Sequence, residues 1–180
     1  SLVDASCVNA TLDIDAPFTV ESKGEIIAPR GSLELTGNLD INGTYTHNSG
    51  TLSPVPVGGG INLYTGNSTF WRIDRVKGGN EWVYQKENCT VLSRMYLNDY
   101  VAWGVADAST LTLGDADNQC TVDGSQYIQI TAANGKVYGG DPLKPALIQC
   151  TSGLQFGANC NLKWLDIQVG EATGGGGHTI

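Results

Sequence analysis

The sequence has little charge and few of the residues that favour helices. Charged residues make up 16% of the chain's 180 residues, against roughly a quarter in ordinary soluble domains. Glutamate occurs six times and methionine once, whereas glycine occurs 24 times and threonine, asparagine and valine recur throughout. This composition suits short strands joined by tight turns and cannot supply many amphipathic helices. It predicts an all-β fold.

Basic residues are scarcer than acidic ones. Ten Lys and Arg stand against 18 Asp and Glu, which gives a net charge of −8. Nucleic-acid binding depends on clustered Lys and Arg side chains, so we expect no nucleic-acid partner. The chain also has no apolar run of the ~18 residues that a membrane-spanning helix needs, so we expect no membrane insertion.

Apolar residues alternate with polar ones in short runs along the chain. Leu33 and Leu35 form one run, Leu39 and Ile41 form the next, and residues 110–113 repeat the pattern as Thr-Leu-Thr-Leu. Gly-Asn and Asn-Gly pairs, which favour tight turns, separate the early runs. Because side chains two apart on a strand share a face, each run offers one apolar face to a core.

An amide-Cys-Thr triplet occurs three times, at residues 88–90, 119–121 and 149–151. The cysteines are 31 and 30 residues apart, and an apolar segment follows each triplet. With one triplet in each coil of a solenoid, the three cysteines would stack as a ladder at the strand spacing of about 4.8 Å. The repeat therefore favours a solenoid.

Three segments, residues 31–44, 68–73 and 110–114, resemble the coils of right-handed parallel β-helix proteins in their Leu-x-Leu strands and Asn-Gly turns. Such coils are found in bacteriophage tailspikes, capsid-surface spikes and bacterial surface adhesins. The similarity covers most of residues 25–170. It lies in the general pattern of strands and turns, and it identifies no site residues. It implies a superhelical stack, often trimeric, that is exposed on a particle or cell. We therefore expect a short right-handed parallel β-helix, or β-solenoid, with a β-sandwich or jelly roll as the alternative.

The length of the chain suits one domain. We predict a single solenoid-like domain over residues 1–173 and a flexible tail over residues 174–180, which begin with four consecutive glycines. The end coils of a short solenoid leave unpaired strand edges, which demand capping or self-association. We therefore predict a homo-oligomer, and the resemblance implies a trimer.

The five cysteines cannot all pair within the chain, because their number is odd. No two have CxxC spacing and only two histidines occur, which disfavours a structural zinc site. Cys150 and Cys160 could form a disulfide across a short loop, and Cys89 and Cys120 could join neighbouring coils. Free, buried thiols that fill the core are the alternative.

Residues 115–119, Asp-Ala-Asp-Asn-Gln, resemble the opening of a calcium loop, and Asp123 lies just beyond them. Ca²⁺ needs several oxygen ligands from closely spaced carboxylates and amides. The helical calcium-loop pattern also requires Gly at its sixth position and Glu at its twelfth, where Cys120 and Gln126 stand here. A turn in which Asp and Asn satisfy local backbone donors explains the same residues. We predict no cofactor, with Ca²⁺ as the alternative.

Arg72, Asp74 and Trp82 are the candidate carbohydrate-binding residues. Arg72 and Asp74 would share one strand face, with Trp71 and Ile73 on the other. Parallel β-helix enzymes that cleave acidic polysaccharides use arginines and carboxylates on an outer face, but a surface ion pair explains the same residues. Trp82 is the best candidate for an exposed ring that stacks on a sugar, and burial in a core or interface is its alternative role.

We expect a non-catalytic structural protein exposed on a virion or cell surface. A capsid-decorating protein, a spike or a fibre module fits, with host surface glycans as the candidate ligand. We assign no catalytic residue, because no nucleophile with its base and no carboxylate pair beside a groove is recognisable. The alternatives are a carbohydrate-binding or carbohydrate-cleaving β-helix, such as a tailspike-like depolymerase, and a filament-forming β-sandwich subunit. The expected location is extracellular or on the virion surface.

Overall fold

The computed structural model of the chain is a parallel β-solenoid of about seven turns. It describes residues 1–5, 9–74, 81–97, 101–124, 127–131, 134–150, 153–157, 159–169 and 178–179. Within these ranges the chain forms strands and turns, and no helix there is long and apolar enough to cross a membrane. The predicted all-β fold and the predicted β-helix architecture are confirmed, and the β-sandwich alternative is wrong.

Each turn of the solenoid, called a coil below, contributes strands to three faces. The first three coils contain β1 (Leu2–Asp4), β2 (Leu12–Ile14), β3 (Phe18–Val20), β4 (Glu25–Ile27), β5 (Ser32–Leu35), β6 (Leu39–Ile41), β7 (Thr44–Thr46), β8 (Thr51–Pro54) and β9 (Gly60–Tyr64). The next two contain β10 (Thr69–Asp74), β11 (Glu81–Gln85), β12 (Cys89–Leu97) and β13 (Val101–Val105). The remaining strands are β14 (Thr110–Leu113), β15 (Thr121–Gly124), β16 (Tyr127–Thr131), β17 (Lys136–Gly139), β18 (Ala146–Cys150), β19 (Gly153–Phe156), β20 (Asn161–Lys163), β21 (Leu165–Val169) and β22 (His178–Thr179).

The three faces run the length of the stack. Face A consists of β1, β4, β7, the first halves of β10 and β12, and then β14, β17 and β20. Face B consists of β2, β5, β8, the second halves of β10 and β12, and then β15, β18 and β21. Face C consists of β3, β6, β9, β11, β13, β16 and β19. The strands pair in parallel from coil to coil, and β22 adds to the edge of β21 in antiparallel orientation.

The interior is filled by the apolar side chains that the alternation placed on one face of each strand. Leu33, Leu35, Leu39 and Ile41 are at most 2% exposed, as predicted. Fully burying one such side chain stabilises the fold by about 1.5–3 kcal/mol. The same kind of side chain continues through the stack, at Leu52, Ile61, Val83, Leu111, Leu113, Val122 and Ile148.

The long strands β10 and β12 turn the corner from face A to face B. Their pairing shifts register between Phe70 and Arg72, so that Phe70 and Ile73 are both buried while Trp71 is only half-buried. The prediction that Trp71 shares a face with Ile73 is therefore wrong, because the bulge interrupts the alternation. Trp71 instead stacks on His47, with ring centroids 5.9 Å apart.

The predicted cysteine ladder is wrong. Cys89 lies opposite Leu111 on face A, and Cys150 lies opposite Val169 on face B. Cys120 precedes β15 at the corner that leads into face B. Three different register positions cannot form one stacked column.

The reason for this error is the length of a coil. Partners on neighbouring strands of face A are between 19 residues apart, for Glu25 and Thr44, and 26 residues apart, for Thr110 and Lys136. Cysteines that are 30 or 31 residues apart therefore occupy different positions on their coils and do not stack on one another.

The described cysteines, Cys89, Cys120, Cys150 and Cys160, are free thiols. The first three are buried and belong to the core cluster. The fifth, Cys7, lies outside the described residues.

The predicted tail falls largely outside the described residues, which omit 170–177 and 180. The predicted limits of domain and tail therefore stay predictions. Within the tail, His178 and Thr179 form β22 and pair with Val169 and Gln168.

Candidate ligand-binding face

Face C carries two aromatic rings and a lysine side by side on its outer surface. In β11, Val83 and Gln85 are buried, whereas Trp82 and Tyr84 alternate with them and face outward. The Trp82 and Tyr84 rings are nearly parallel, with centroids 5.6 Å apart and planes 5° apart. The ammonium of Lys86, the next outward residue, lies 5.1 Å from the Tyr84 ring centroid. These three residues are called the aromatic row below.

Glycines on both neighbouring strands make room for the Tyr84 ring. A Cβ atom at Gly60 on β9 would lie 2.5 Å from Cε2 of Tyr84, and one at Gly104 on β13 would lie 3.0 Å from its Cδ1. Both distances are shorter than ordinary van der Waals contacts. The ring therefore occupies space that side chains at these positions would fill.

Beyond the aromatic row lies a row of small residues on the next coil, Ala102, Gly104 and Ala106. Ala102 lies opposite Trp82, and Gly104 lies opposite Tyr84. On the coil after that, Thr131 lies opposite Gly104. A depression of about 160 Å³ results, with the aromatic row on one side and Thr131 on the other.

The buried side-chain amide of Gln85 links neighbouring coils inside the solenoid. Gln85 is fully buried, and its Nε2 donates to the carbonyl oxygens of Glu87 and Thr110 at 2.7 and 2.9 Å. Its Oε1 accepts a hydrogen bond from Nε1 of Trp103 at 3.1 Å. The amide thus has the partners that a polar group in an apolar interior needs, and it connects β11 to the two following coils.

Arg72 and Asp74 lie on face B, where they form an ion pair. On the next coil, Arg94 donates from Nε and Nη2 to the two carboxylate oxygens of Asp123, at 2.8 and 2.7 Å. The Arg94 guanidinium also lies 4.9 Å from the Tyr96 ring centroid. The Asp123 hydrogen bonds raise the pKa of Arg94.

The three sequence-predicted carbohydrate-binding residues therefore do not form one site. Arg72 and Asp74 belong to a charged cluster on face B, whereas Trp82 belongs to the aromatic row on face C. Sequence reasoning missed Tyr84 and Lys86, although their spacing of two from Trp82 was the signal that could have found them.

The calcium-loop candidate forms a turn. Oδ1 of Asp115 accepts hydrogen bonds from the backbone N–H groups of Asp117 and Asn118, at 2.9 and 2.7 Å, and from Nδ2 of Asn118 at 2.9 Å. Partial burial raises the pKa of Asp115, but these hydrogen bonds outweigh that effect and lower it below its ordinary value. Asp123 is paired with Arg94. In the part of the chain that the structure describes, no three His, Cys, Asp or Glu side chains are grouped to hold a metal ion.

The buried thiols of Cys89 and Cys120 are poor nucleophiles. Burial raises the pKa of Cys120 to about 12 and also raises the pKa of Cys89. Both thiols therefore stay protonated at neutral pH, and the thiolate is the nucleophilic form of cysteine.

Comparison with known protein families, with curated proteins and with solved structures finds no match for this chain.

Proposed function

We propose that the chain is a non-catalytic structural module, exposed on a virion or cell surface, that binds glycans through face C. The observation that carries this proposal is the aromatic row beside its depression. Sugar rings have apolar C–H faces that pack on aromatic rings, and their hydroxyl groups need neighbouring polar side chains. Trp82 and Tyr84 supply the rings, and Thr131 supplies a hydroxyl group at the opposite side.

The position of β11 in the sheet also favours a glycan over a peptide. An extended peptide binds a sheet by adding a strand to an unpaired edge. β11 pairs on one side with β9 and on the other with β13, so its backbone offers no such edge. A ligand on this face must be recognised by side chains.

The charged cluster on face B supports a structural role for Arg72 and Asp74. Two carboxylates that cleave a glycosidic bond flank it and differ in their protonation. Asp74 and Asp123 are instead each paired with an arginine side chain. A carbohydrate-cleaving β-helix remains the second candidate, because face B does present carboxylates and arginines together.

We also propose that the chain forms a homo-oligomer, and specifically a trimer. Val57 and Leu143 are large apolar side chains that are 75% and 91% exposed, and a subunit interface would remove such surface from water. Light scattering at about 1 to 100 µM protein tests this, since assembly depends on concentration. A monomer throughout that range contradicts it.

Retention on immobilised glycans tests the binding proposal. The chain should bind at least one member of a panel of neutral and acidic polysaccharides without releasing reducing ends. Trp82→Ala should weaken that binding about tenfold or more, whereas Trp164→Ala, which removes an exposed tryptophan elsewhere, should not. Release of reducing ends would favour the depolymerase, and binding to no member would contradict the proposal.

A further inference from the structure

The outer surface of face C is almost uncharged. Among the described residues of its strands, together with Lys86 just after β11, the charged ones are Asp40, Glu81 and Lys86, two acidic and one basic. The other described outward side chains are hydroxyl, amide, aromatic or small ones, at Thr19, Asn62, Tyr64, Trp82, Tyr84, Ala102, Ala106, Gln129, Thr131 and Gln155.

Face B differs sharply from face C in charge. Its outward positions carry acidic and basic side chains from the first coil to the last, namely Asp13, Glu34, Arg72, Asp74, Arg94, Asp123 and Asp166. The chain as a whole has a net charge of −8. Face C is therefore a nearly neutral surface on an acidic protein.

We propose that face C binds an uncharged pyranose oligosaccharide that lies in the depression over Gly104 and Ala106. This inference rests on the proposed function and names the class of its ligand. The aromatic row that borders this depression, from Trp82 to Lys86, spans four residue steps of a strand, or about 13 Å, which is longer than one sugar ring. The walls are the aromatic row on β11 and Thr131 on β16, about 10 Å apart by the spacing of strands. Gln129 lies two residues before Thr131 on the same strand, opposite Ala102.

The available polar groups match neutral hydroxyl groups. The amide of Gln129 and the hydroxyl of Thr131 can each donate and accept hydrogen bonds, as a sugar hydroxyl does. Lys86, the one cation among the described residues that line the depression, already lies against the Tyr84 ring. An acidic sugar would approach against the field of the whole chain, which repels anions.

Gly104 lies beside both aromatic rings. Its Cβ position lies 3.0 Å from Tyr84 Cδ1 and 3.8 Å from Trp82 Cε3. A ligand that lies over Gly104 is therefore next to both rings.

Calorimetric titration tests the class of ligand. The probes are neutral hexasaccharides of glucose, mannose, galactose and N-acetylglucosamine, and acidic hexasaccharides of galacturonate and of sulfated uronate chains. We expect at least one neutral probe to bind, with an affinity that changes less than about twofold between 20 and 500 mM salt. Acidic probes should bind at least tenfold more weakly, about the discrimination of one buried group.

Three variants locate the site and separate the outcomes. Trp82→Ala should weaken neutral binding about tenfold, and Thr131→Val, which removes one hydroxyl at constant shape, about threefold. Lys163→Met, which removes a lysine that lies over the Tyr138 ring on face A, is the control and should leave neutral binding within about twofold. Neutral binding that neither Trp82→Ala nor Thr131→Val weakens would overturn the inference.

The opposite result also distinguishes the two proposals. Acidic probes that bind more tightly, and lose affinity in high salt and in Lys86→Met, would overturn the inference and leave glycan binding standing. If no probe of either class binds, both proposals fail.

Discussion

At the scale of single residues, Gln85 shows how a polar side chain can stabilise the interior of a solenoid. Its amide is fully buried and makes three hydrogen bonds, one of them to the indole of Trp103. Removing it leaves the buried N–H group of Trp103 and the carbonyl oxygens of Glu87 and Thr110 without this partner. Each such group costs about 1–3 kcal/mol.

Gln85→Leu should therefore lower the free energy of unfolding by about 3 kcal/mol or more. Denaturant unfolding followed by tryptophan fluorescence measures this change. Gln149→Leu, at an exposed amide on face B, is the matched control and should change stability by less than about 0.5 kcal/mol. Equal effects of the two substitutions would show that the buried network contributes little.

Ala108 has a backbone conformation that alanine rarely adopts, with φ at 62°. An L-residue in the left-handed region is destabilised by about 1–2 kcal/mol, whereas glycine has no such cost. Ala108→Gly should raise the free energy of unfolding by up to about 1 kcal/mol, because the greater freedom of glycine in the unfolded chain offsets part of the gain.

The control for Ala108→Gly is Ala116→Gly, at an exposed turn residue without positive φ. That substitution should lower stability by about 0.4–1 kcal/mol. Thermal unfolding of the two variants should thus shift in opposite directions, and a shift in the same direction would contradict the strain at Ala108.

His47 makes stability depend on pH. Burial lowers its pKa below the ordinary value, and its Nδ1 accepts a hydrogen bond from the Ser49 backbone N–H at 2.9 Å. Both favour the neutral ring. The folded chain therefore binds this proton less readily than the unfolded chain, so stability is full above pH 6.5 and falls as the pH drops below it.

Urea unfolding at about pH 7.5 and pH 5.5 measures this effect. The loss of stability at the lower pH should be smaller in His47→Gln than in the unsubstituted chain. An identical loss in both would assign the pH dependence to other groups.

At the scale of strands and coils, local pattern predicts the inward residues well. Leu33, Leu35, Leu39 and Ile41 are buried as the alternation of polar and apolar residues requires, because the period of a strand is fixed at two. The pattern fails at Trp71, where a bulge at a corner shifts the register. A bulge depends on the neighbouring coils, which local sequence does not reveal.

The number of residues in each coil also could not be predicted from the sequence. Coils here differ in length, because the turns between faces differ, so the evenly spaced cysteine triplets pointed to a register that does not exist. For the same reason, the sequence did not reveal that Trp82 lies on a different face from Arg72 and Asp74. Which face a strand joins depends on how the chain turns at each corner, and that is a property of the stack.

The outer surface of β11 offers a test at this scale. In Gly60→Ala, the added methyl group would lie 2.5 Å from Cε2 of Tyr84, and the ring can move because it is the far end of a side chain. We expect a stability loss of less than about 2 kcal/mol but clearly weaker glycan binding, with a changed near-ultraviolet circular dichroism signal of the aromatic rings. Unchanged binding would show that the position of Tyr84 does not matter to the site.

At the scale of the whole molecule, the solenoid separates structural and binding roles by face. The interior columns hold the coils together, face B carries paired charges, and face C carries the aromatic row on a nearly neutral surface. Because all strands stack in parallel, residues far apart in sequence meet on one face. Trp82, Gly104 and Thr131 come from three successive coils.

Nuclear magnetic resonance titration of the isotope-labelled chain with a neutral hexasaccharide tests this arrangement most directly. The chain has four indole N–H signals, one for each tryptophan. We predict that the indole signal of Trp82 shifts together with the backbone amides of Tyr84, Gly104 and Thr131, while the amides of Arg72 and Arg94 stay in place. Shifts centred on face B, or no shift with any probe, would contradict the assignment of face C as the binding surface.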